Sequence, residues 1–254
     1  MSWSADQYAI FENERTRPVR DLLAAVPGRE PASAVDIGCG PGNSTQVLAA
    51  QFPGAAVCGL DSSTDMVAAA RKRLPRMQFD LADVETWDAP GPYGVILANA
   101  VLQWVPGHAT LLPRLVQKLA AGGSLAVQMP DNLDEPAHNA MREVAGDARW
   151  AQRLAGATRM QRFDARWYFD LLRAHCRHVD VWRTVYHHPL ASGAAGVVEW
   201  FKGSALRPLL DRLTPGEQAL FLERYTEAVA AAHPAMADGT VLLPFPRLFI
   251  VATR

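Results

Sequence analysis

The residues best placed to do chemistry are a glycine loop and two acids downstream of it. Asp36-Ile37-Gly38-Cys39-Gly40-Pro41-Gly42 follows a short apolar run and leads into a stretch with helical spacing. Glycines at such a junction let the backbone turn sharply and come close to a ligand. The loop departs from a dinucleotide-binding turn, because Asn43 stands where a third glycine would be and Pro41 has no N–H to offer a pyrophosphate. Asp36, just ahead of the loop, is a poor neighbour for phosphate and a good one for an ammonium. Asp61 closes the second apolar run, close to the ~20-residue offset at which a carboxylate accepts from ribose hydroxyls. Its other reading is a helix N-cap, although Ser62, Ser63 and Thr64 can supply the cap instead. Asp83, after the third run, is placed to accept from an adenine amino group, or is a surface loop acid. Together these residues suit a nucleoside ligand with an ammonium and no phosphate, as S-adenosylmethionine is. A nucleotide-dependent oxidoreductase is the rival reading, and Pro41, Asn43 and Asp83 argue against it.

The run Ala98-Asn99-Ala100-Val101-Leu102-Gln103-Trp104 brings the backbone of Asn99 and Ala100 towards the methionyl part of such a ligand. Leu102 and Trp104 could close over the sulfonium and adenine, an aromatic face next to a sulfonium being favourable, or Trp104 could instead fill the core. Cys39, Cys58 and Cys176 are odd in number and widely spaced, so neither a disulfide framework nor a metal site is expected. The formal net charge is −1, and the basic triplet Arg71-Lys72-Arg73 reads as a solvated helix C-terminus, so nucleic acid is not an expected partner. No apolar window has the length of a membrane span and no secretory leader is evident, which points away from membranes and towards a reducing cytoplasm.

Elements that would position these residues follow from periodicity. Strands are expected at 34–37, 56–60, 77–81, 93–98 and 123–129, with helices at 44–52, 63–74 and 108–120 between them, the last despite Pro113. Two leading helices are expected, one capped by Ser4 and Gln7 and the other separated from it by Pro18. Such β-α alternation specifies a parallel sheet with both faces covered, and ligands then bind at the carboxyl ends of the strands. After Pro130 the alternation stops. Helical patterns at 136–147 and 164–175 precede a β-rich run from Val179 to His187, and another helical stretch, 193–232, precedes the last strand, 248–252. The helical insertions are assigned to a lid.

The motifs Val35-Asp-Ile-Gly-Cys-Gly-Pro-Gly-Asn, Gly59-Leu-Asp61-Ser-Ser, Ala82-Asp83 and Asn99-Ala-Val-Leu-Gln-Trp resemble those of class I S-adenosylmethionine-dependent methyltransferases. The resemblance implies an α/β fold: a doubly wound Rossmann-like sheet, mostly parallel with an antiparallel last strand, plus helical lid insertions. Residues 1–130 would form the cofactor-binding core with its leading helices, and 131–254 the lid insertions and the last two strands, all in one compact domain. It implies S-adenosylmethionine as cofactor, S-adenosylhomocysteine as product, and no metal. Cofactor contacts would come from Gly38, Cys39, Gly40 and Asn43 in the loop, and from Ser62, Met66 and Val84 beside the acids Asp36, Asp61 and Asp83. Asn99, Ala100, Val101 and Trp104 would follow the fourth strand, while Tyr8 and Arg15 belong to a leading segment that folds over the cofactor.

Later stretches, Gln128-Met-Pro-Asp-Asn, Met141-Arg-Glu-Val-Ala, Asp180-Val-Trp-Arg-Thr-Val-Tyr, Leu206-Arg-Pro and Phe245-Pro-Arg-Leu-Phe-Ile-Val-Ala, are similar to the members of that family that methylate a carboxylate of trans-aconitate. A carboxylate is already ionised at neutral pH, so no general base is needed and no catalytic residue beyond positioning groups is expected. A small polycarboxylate would need cations for its non-reacting carboxylates. Arg183, Arg207 and Arg247 are the candidates, since arginine pairs bidentately with carboxylate. His187 and His188 are adjacent on a strand and point to opposite faces, so at most one could serve the same pocket.

Overall fold

The computed structural model describes residues 11–28, 30–88, 91–157 and 160–254. Strands β1 (Ser33–Ile37), β2 (Ala56–Asp61), β3 (Gln78–Leu81), β4 (Tyr93–Asn99), β5 (Leu119–Pro130), β6 (His178–Leu190) and β7 (Val241–Thr253) form one sheet in the order β3-β2-β1-β4-β5-β7-β6. The pairs β1–β2, β1–β4, β2–β3 and β4–β5 are parallel. β7 runs against β5: Gly122 N–H, early in β5, donates to Arg254 O (3.0 Å) just past β7, while Asp131 N–H, just past β5, donates to Pro246 O (2.8 Å), earlier in β7. Strand order reverses at β1, whose neighbours are β2 and β4. The carboxyl ends of β1 and β4 therefore flank the crevice where such sheets bind ligands.

The chain falls into two compact units. One comprises the described residues before Pro130, with Met160–Thr184 and Leu248–Arg254; the other comprises 130–157 and Val185–Arg247. In the sheet unit, α1 (Glu12–Ala24), α2 (Asn43–Gln51), α3 (Thr64–Arg73) and α4 (His108–Gln117) surround a core built on Val35, Ile37, Ile96, Leu112, Val127 and Ile250. Burial on both faces is what a parallel strand flanked by helices demands, and β4 is buried from Val95 to Asn99. At the end of α3, Arg73 pairs with Glu12 at 2.6 Å and Arg71 donates to Phe79 O, so the basic triplet is a helix terminus. In the second unit, α5 (Pro136–Ala145), α6 (Ala151–Leu154), α8 (Gly193–Lys202), α9 (Arg207–Leu210) and α10 (Pro215–Ala232) are helical. Tyr225 O–H donates to Ala137 O at 3.2 Å, tying α10 to α5, and Trp150 lies 5.6 Å from the Phe221 ring.

Three expectations are corrected. No break occurs at Pro18, which lies inside α1; the burial of Val19, Leu22 and Leu23 holds the helix through the position that lacks an N–H. The expected cap at Ser4 and Gln7 lies outside the described residues. The helix α7 (Ala165–Leu172), expected in the lid, belongs to the sheet unit, where Tyr168 and Leu172 are fully buried in the core. The stretch 193–232 is three helices, interrupted after Lys202 and again before Thr214, which forms a reciprocal capping box with Glu217.

Candidate functional site

The turn after β1 is built by positive-φ glycines. Gly38, Gly40 and Gly42 have φ of 69°, 53° and 88°, the left-handed region that side chains avoid. Gly38 N–H and Cys39 N–H both donate to Leu60 O (2.8 and 2.9 Å), Gly40 N–H donates to the Asp61 carboxylate (2.9 Å), and Gly42 N–H donates to Cys39 O (3.0 Å). Pro41 has none. Every peptide N–H from Gly38 to Gly42 is thus engaged inside the protein, so the loop offers no cradle of donors to a phosphate. A Cβ at Gly40 would meet nothing within 4 Å, which leaves open space in front of the loop.

Acceptors are what the site leaves open. Asp36 is fully buried at the end of β1, and one carboxylate oxygen accepts from the hydroxyls of Ser44 and Thr45, each at 2.7 Å. Its other oxygen, Oδ1, has no hydrogen-bond partner among the described residues, and the same holds for Oδ1 of buried Asn99. Asn43, buried in the first turn of α2, leaves its amide Nδ2 as an open donor. Ser44 and Thr45 went unnoticed in the sequence, although two hydroxyls directly after a glycine loop are the signal that the preceding acid is to be held.

Burial pushes the Asp36 carboxyl up to about 7, against the opposing pull of the Ser44 and Thr45 hydroxyls. The folded state therefore holds a proton that the unfolded chain has lost between about pH 4 and 7, and this part of the stability is present at low pH and lost as pH rises through 7. His138, pushed down to about 4 mainly by burial, acts in the opposite sense below about pH 6.5. Comparison with Asp36→Asn isolates the carboxyl: the variant's urea midpoint should gain on wild type between pH 5.5 and 8. A gap independent of pH would contradict the buried acid.

Asp61 also accepts from Ser63 N–H (2.9 Å), and burial raises its carboxyl while the backbone donors hold it down. Ser63 is the N-cap of α3, its hydroxyl accepting from Met66 N–H at 3.4 Å, so Asp61 is not the cap. Ser62 is exposed and Met66 buried. Asp83 is exposed and accepts from Glu85 N–H at 2.9 Å, forming a short turn; Val84 behind it is buried in the core. Cys39 is buried with Val67, Ala70 and Phe79, so its thiol, raised by burial, is packing and only its backbone belongs to the loop.

After β4, Ala100 has φ of 52°, an uncommon conformation for a residue with a Cβ, and its N–H donates to Gln128 O at 2.8 Å. Val101 lies directly against Gly38, where a Cβ would sit 2.3 Å from Val101 Cγ2. A single 3₁₀ turn, Leu102–Trp104, follows. Leu102, expected at the ligand, is instead fully buried in the core with Leu111, Leu112 and Leu115, and Trp104 is half-buried. Arg15 is buried on α1, and Tyr8 lies outside the described residues.

The three arginines differ. Arg183 is exposed on β6, next to Trp182, which stacks on Phe249 at 5.0 Å. Arg207 is half-buried and its Nε lies 3.1 Å from the Asp211 carboxylate. Arg247 is 4% exposed, with its guanidinium 4.8 Å from the Phe245 ring centre. His187 is exposed and His188 is buried 4.4 Å from the Trp200 ring, as strand alternation requires. No cluster of histidine, cysteine and acidic residues suited to a metal ion occurs among the described residues.

Comparison with known proteins bears on the family and the fold. The profile of a family described as a methyltransferase domain matches residues 11–182. A trans-aconitate 2-methyltransferase of Methylobacterium nodulans is 56% identical over 99% of this chain and 98% of its own length, and one of Rhizobium meliloti is 52% identical over 100% and 99%. Among solved structures, the YcgJ protein of Bacillus subtilis has a TM-score of 0.60 at 10% identity, covering 94% of this chain and 98% of that one. Haemonchus contortus phosphoethanolamine N-methyltransferase 2, solved with phosphomonomethylethanolamine and S-adenosylhomocysteine, has a TM-score of 0.59 at 15% identity, over 97% of this chain and 57% of that one. At those identities the likeness is one of fold.

Proposed function

The chain belongs to the methyltransferase family that includes the trans-aconitate 2-methyltransferases, and from that premise we propose that it methylates a carboxylate of trans-aconitate, or of a closely similar small polycarboxylate, using S-adenosylmethionine. One observation carries the cofactor half of this reading: the N–H groups of the glycine loop are all engaged, while buried carboxylate and amide oxygens stand open. Such a site rejects pyrophosphate and suits an ammonium on a nucleoside.

When bound, S-adenosylmethionine would supply a methyl group whose S–C bond breaks as the O–C bond forms, leaving S-adenosylhomocysteine and a monomethyl ester whose other carboxylates stay ionised. No proton moves. The residues' task is binding and alignment. Asp36 and the loop carbonyls would face the ammonium, Asp61 the ribose hydroxyls and Asp83 the adenine amino group; the turn Asn99–Trp104 would border the reacting end. Among the arginines, Arg247 has the best support as a carboxylate partner, because it is held out of water and stacked on Phe245 in one orientation. Arg183 and Arg207 remain further candidates. A cytoplasmic setting suits the three free thiols.

Incubation with methyl-labelled S-adenosylmethionine and a panel of trans-aconitate, cis-aconitate, isocitrate and simpler diacids should give a labelled monomethyl ester of trans-aconitate, identified by mass. Absence of an ester from every acid would overturn the reading. Arg247→Met should raise KM for the polyacid about 100-fold, the loss of one charge-assisted pair, with affinity for S-adenosylhomocysteine unchanged. An unaltered KM would remove Arg247 from the site.

A further inference from the structure

His108 and Tyr168 lie 60 residues apart in the chain and meet inside the sheet unit, at 1% and 0% exposure. His108 Nε2 is 2.8 Å from the carbonyl oxygen of Leu102, and its Nδ1 is 2.8 Å from the Tyr168 hydroxyl. A carbonyl only accepts, so in the neutral ring the proton sits on Nε2, and Nδ1 accepts from the Tyr168 O–H. The Tyr168 oxygen in turn accepts from Phe163 N–H at 3.4 Å. The bonds thus run in one direction, from Phe163 through Tyr168 and His108 to Leu102. Alongside them, Gln161 N–H donates to Gln103 O (2.8 Å), and Gln103 Nε2 donates to the carbonyl of Ala100 (2.7 Å). The segment 161–168 thus reaches the turn that carries Trp104 twice, directly through Gln161 to Gln103 and through His108 to Leu102.

We propose that His108 is a positioning residue for methyl transfer, and that with Tyr168 it clamps the Leu102–Trp104 turn so that Trp104 and the strained Ala100 hold the reacting end of the site in register. The inference rests on the function proposed above. His108 touches neither cofactor nor acceptor in this account; it acts through the Leu102 carbonyl. The clamp matters because a reaction without a general base depends on alignment, and a misplacement of about 1 Å costs on the order of 100-fold in rate.

The test compares Tyr168→Phe, His108→Ala and His108→Gln with wild type, each checked by calorimetry for binding of one S-adenosylhomocysteine per chain. Tyr168→Phe and His108→Ala should lower kcat about 10–100-fold, with the dissociation constant for S-adenosylhomocysteine and KM for the acid within about threefold of wild type. His108→Gln, whose amide nitrogen can reach the Leu102 carbonyl, should recover part of the rate. In ¹⁵N-histidine spectra at pH 8, the signal missing from His108→Gln should be that of a neutral ring protonated on Nε2. Wild-type kcat in the variants, a fall in kcat matched by lost binding stoichiometry, or a ring protonated on Nδ1 would each overturn the proposal. An inactive wild type whose His108 shows the expected tautomer would instead count against the proposed acceptor.

Discussion

Gly38→Ala is expected to lower the melting temperature by about 6–12 °C and to weaken S-adenosylhomocysteine binding by more than 100-fold. Two costs combine. The backbone at Gly38 has φ of 69°, which charges an alanine about 1–2 kcal/mol. The added Cβ would lie 2.3 Å from Val101 Cγ2 and 2.5 Å from Val101 Cβ, so Val101 must shift in a packed interior, at about 1–3 kcal/mol. A sum of ~3 kcal/mol corresponds to that change in melting temperature for a chain of this size. The loss of binding follows because Gly38 opens the loop proposed to hold the cofactor, and the loop backbone cannot keep its course past Val101 once a Cβ is added. Gly40→Ala is the control, since its φ of 53° carries the backbone cost but its Cβ meets nothing within 4 Å. It should unfold within a few degrees of wild type and still bind poorly, because the methyl group would stand in the space proposed for the cofactor. Equal melting temperatures for Gly38→Ala and wild type would refute the packing argument.

Asp61→Asn should weaken S-adenosylhomocysteine binding by about 100-fold, near 3 kcal/mol, with little change in fold stability. The substitution keeps the side chain's size but exchanges an oxygen for a donor amide. Both carboxylate oxygens face peptide N–H groups, those of Gly40 and Ser63, so one of these now meets another donor. In the proposed complex the carboxylate also accepts from ribose, and charge-assisted bonds of that kind contribute about 1.5–3 kcal/mol each. Stability changes less because the native carboxylate is itself penalised by burial, which raises its pKa. Titration calorimetry would show the difference directly; a change below about fivefold would remove Asp61 from the cofactor site.

Much of the sheet and the turn of the glycine loop were legible in the sequence because their signals are local. A glycine turn between an apolar strand and a helix, followed by acids at strand ends, is a pattern within some fifty residues, and β-α alternation specifies a parallel sheet with both faces covered. What escaped was non-local or masked by proline. The first half of β7 carries Pro244 and Pro246, which read against a strand, yet its backbone runs extended from Val241. The helix α7 read as lid because its neighbours in sequence are irregular; its place beside the sheet depends on Tyr168 finding His108. Leu102 and Trp104 are two residues apart in one motif, and only the turn between them decides that the first is core and the second half-exposed. The candidate arginines were the least legible, since exposure, ion pairing with Asp211 and stacking on Phe245 separate Arg183, Arg207 and Arg247 in ways their spacing does not.

The most direct measurement is a crystal structure of the protein with S-adenosylhomocysteine bound. The account predicts ribose hydroxyls on Asp61, the adenine amino group at Asp83, and the ammonium on the Asp36 side of the glycine loop. Density showing the carboxylates of Asp61 and Asp83 turned away from the nucleoside, or the glycine-loop N–H groups released to hold an anion, would contradict it.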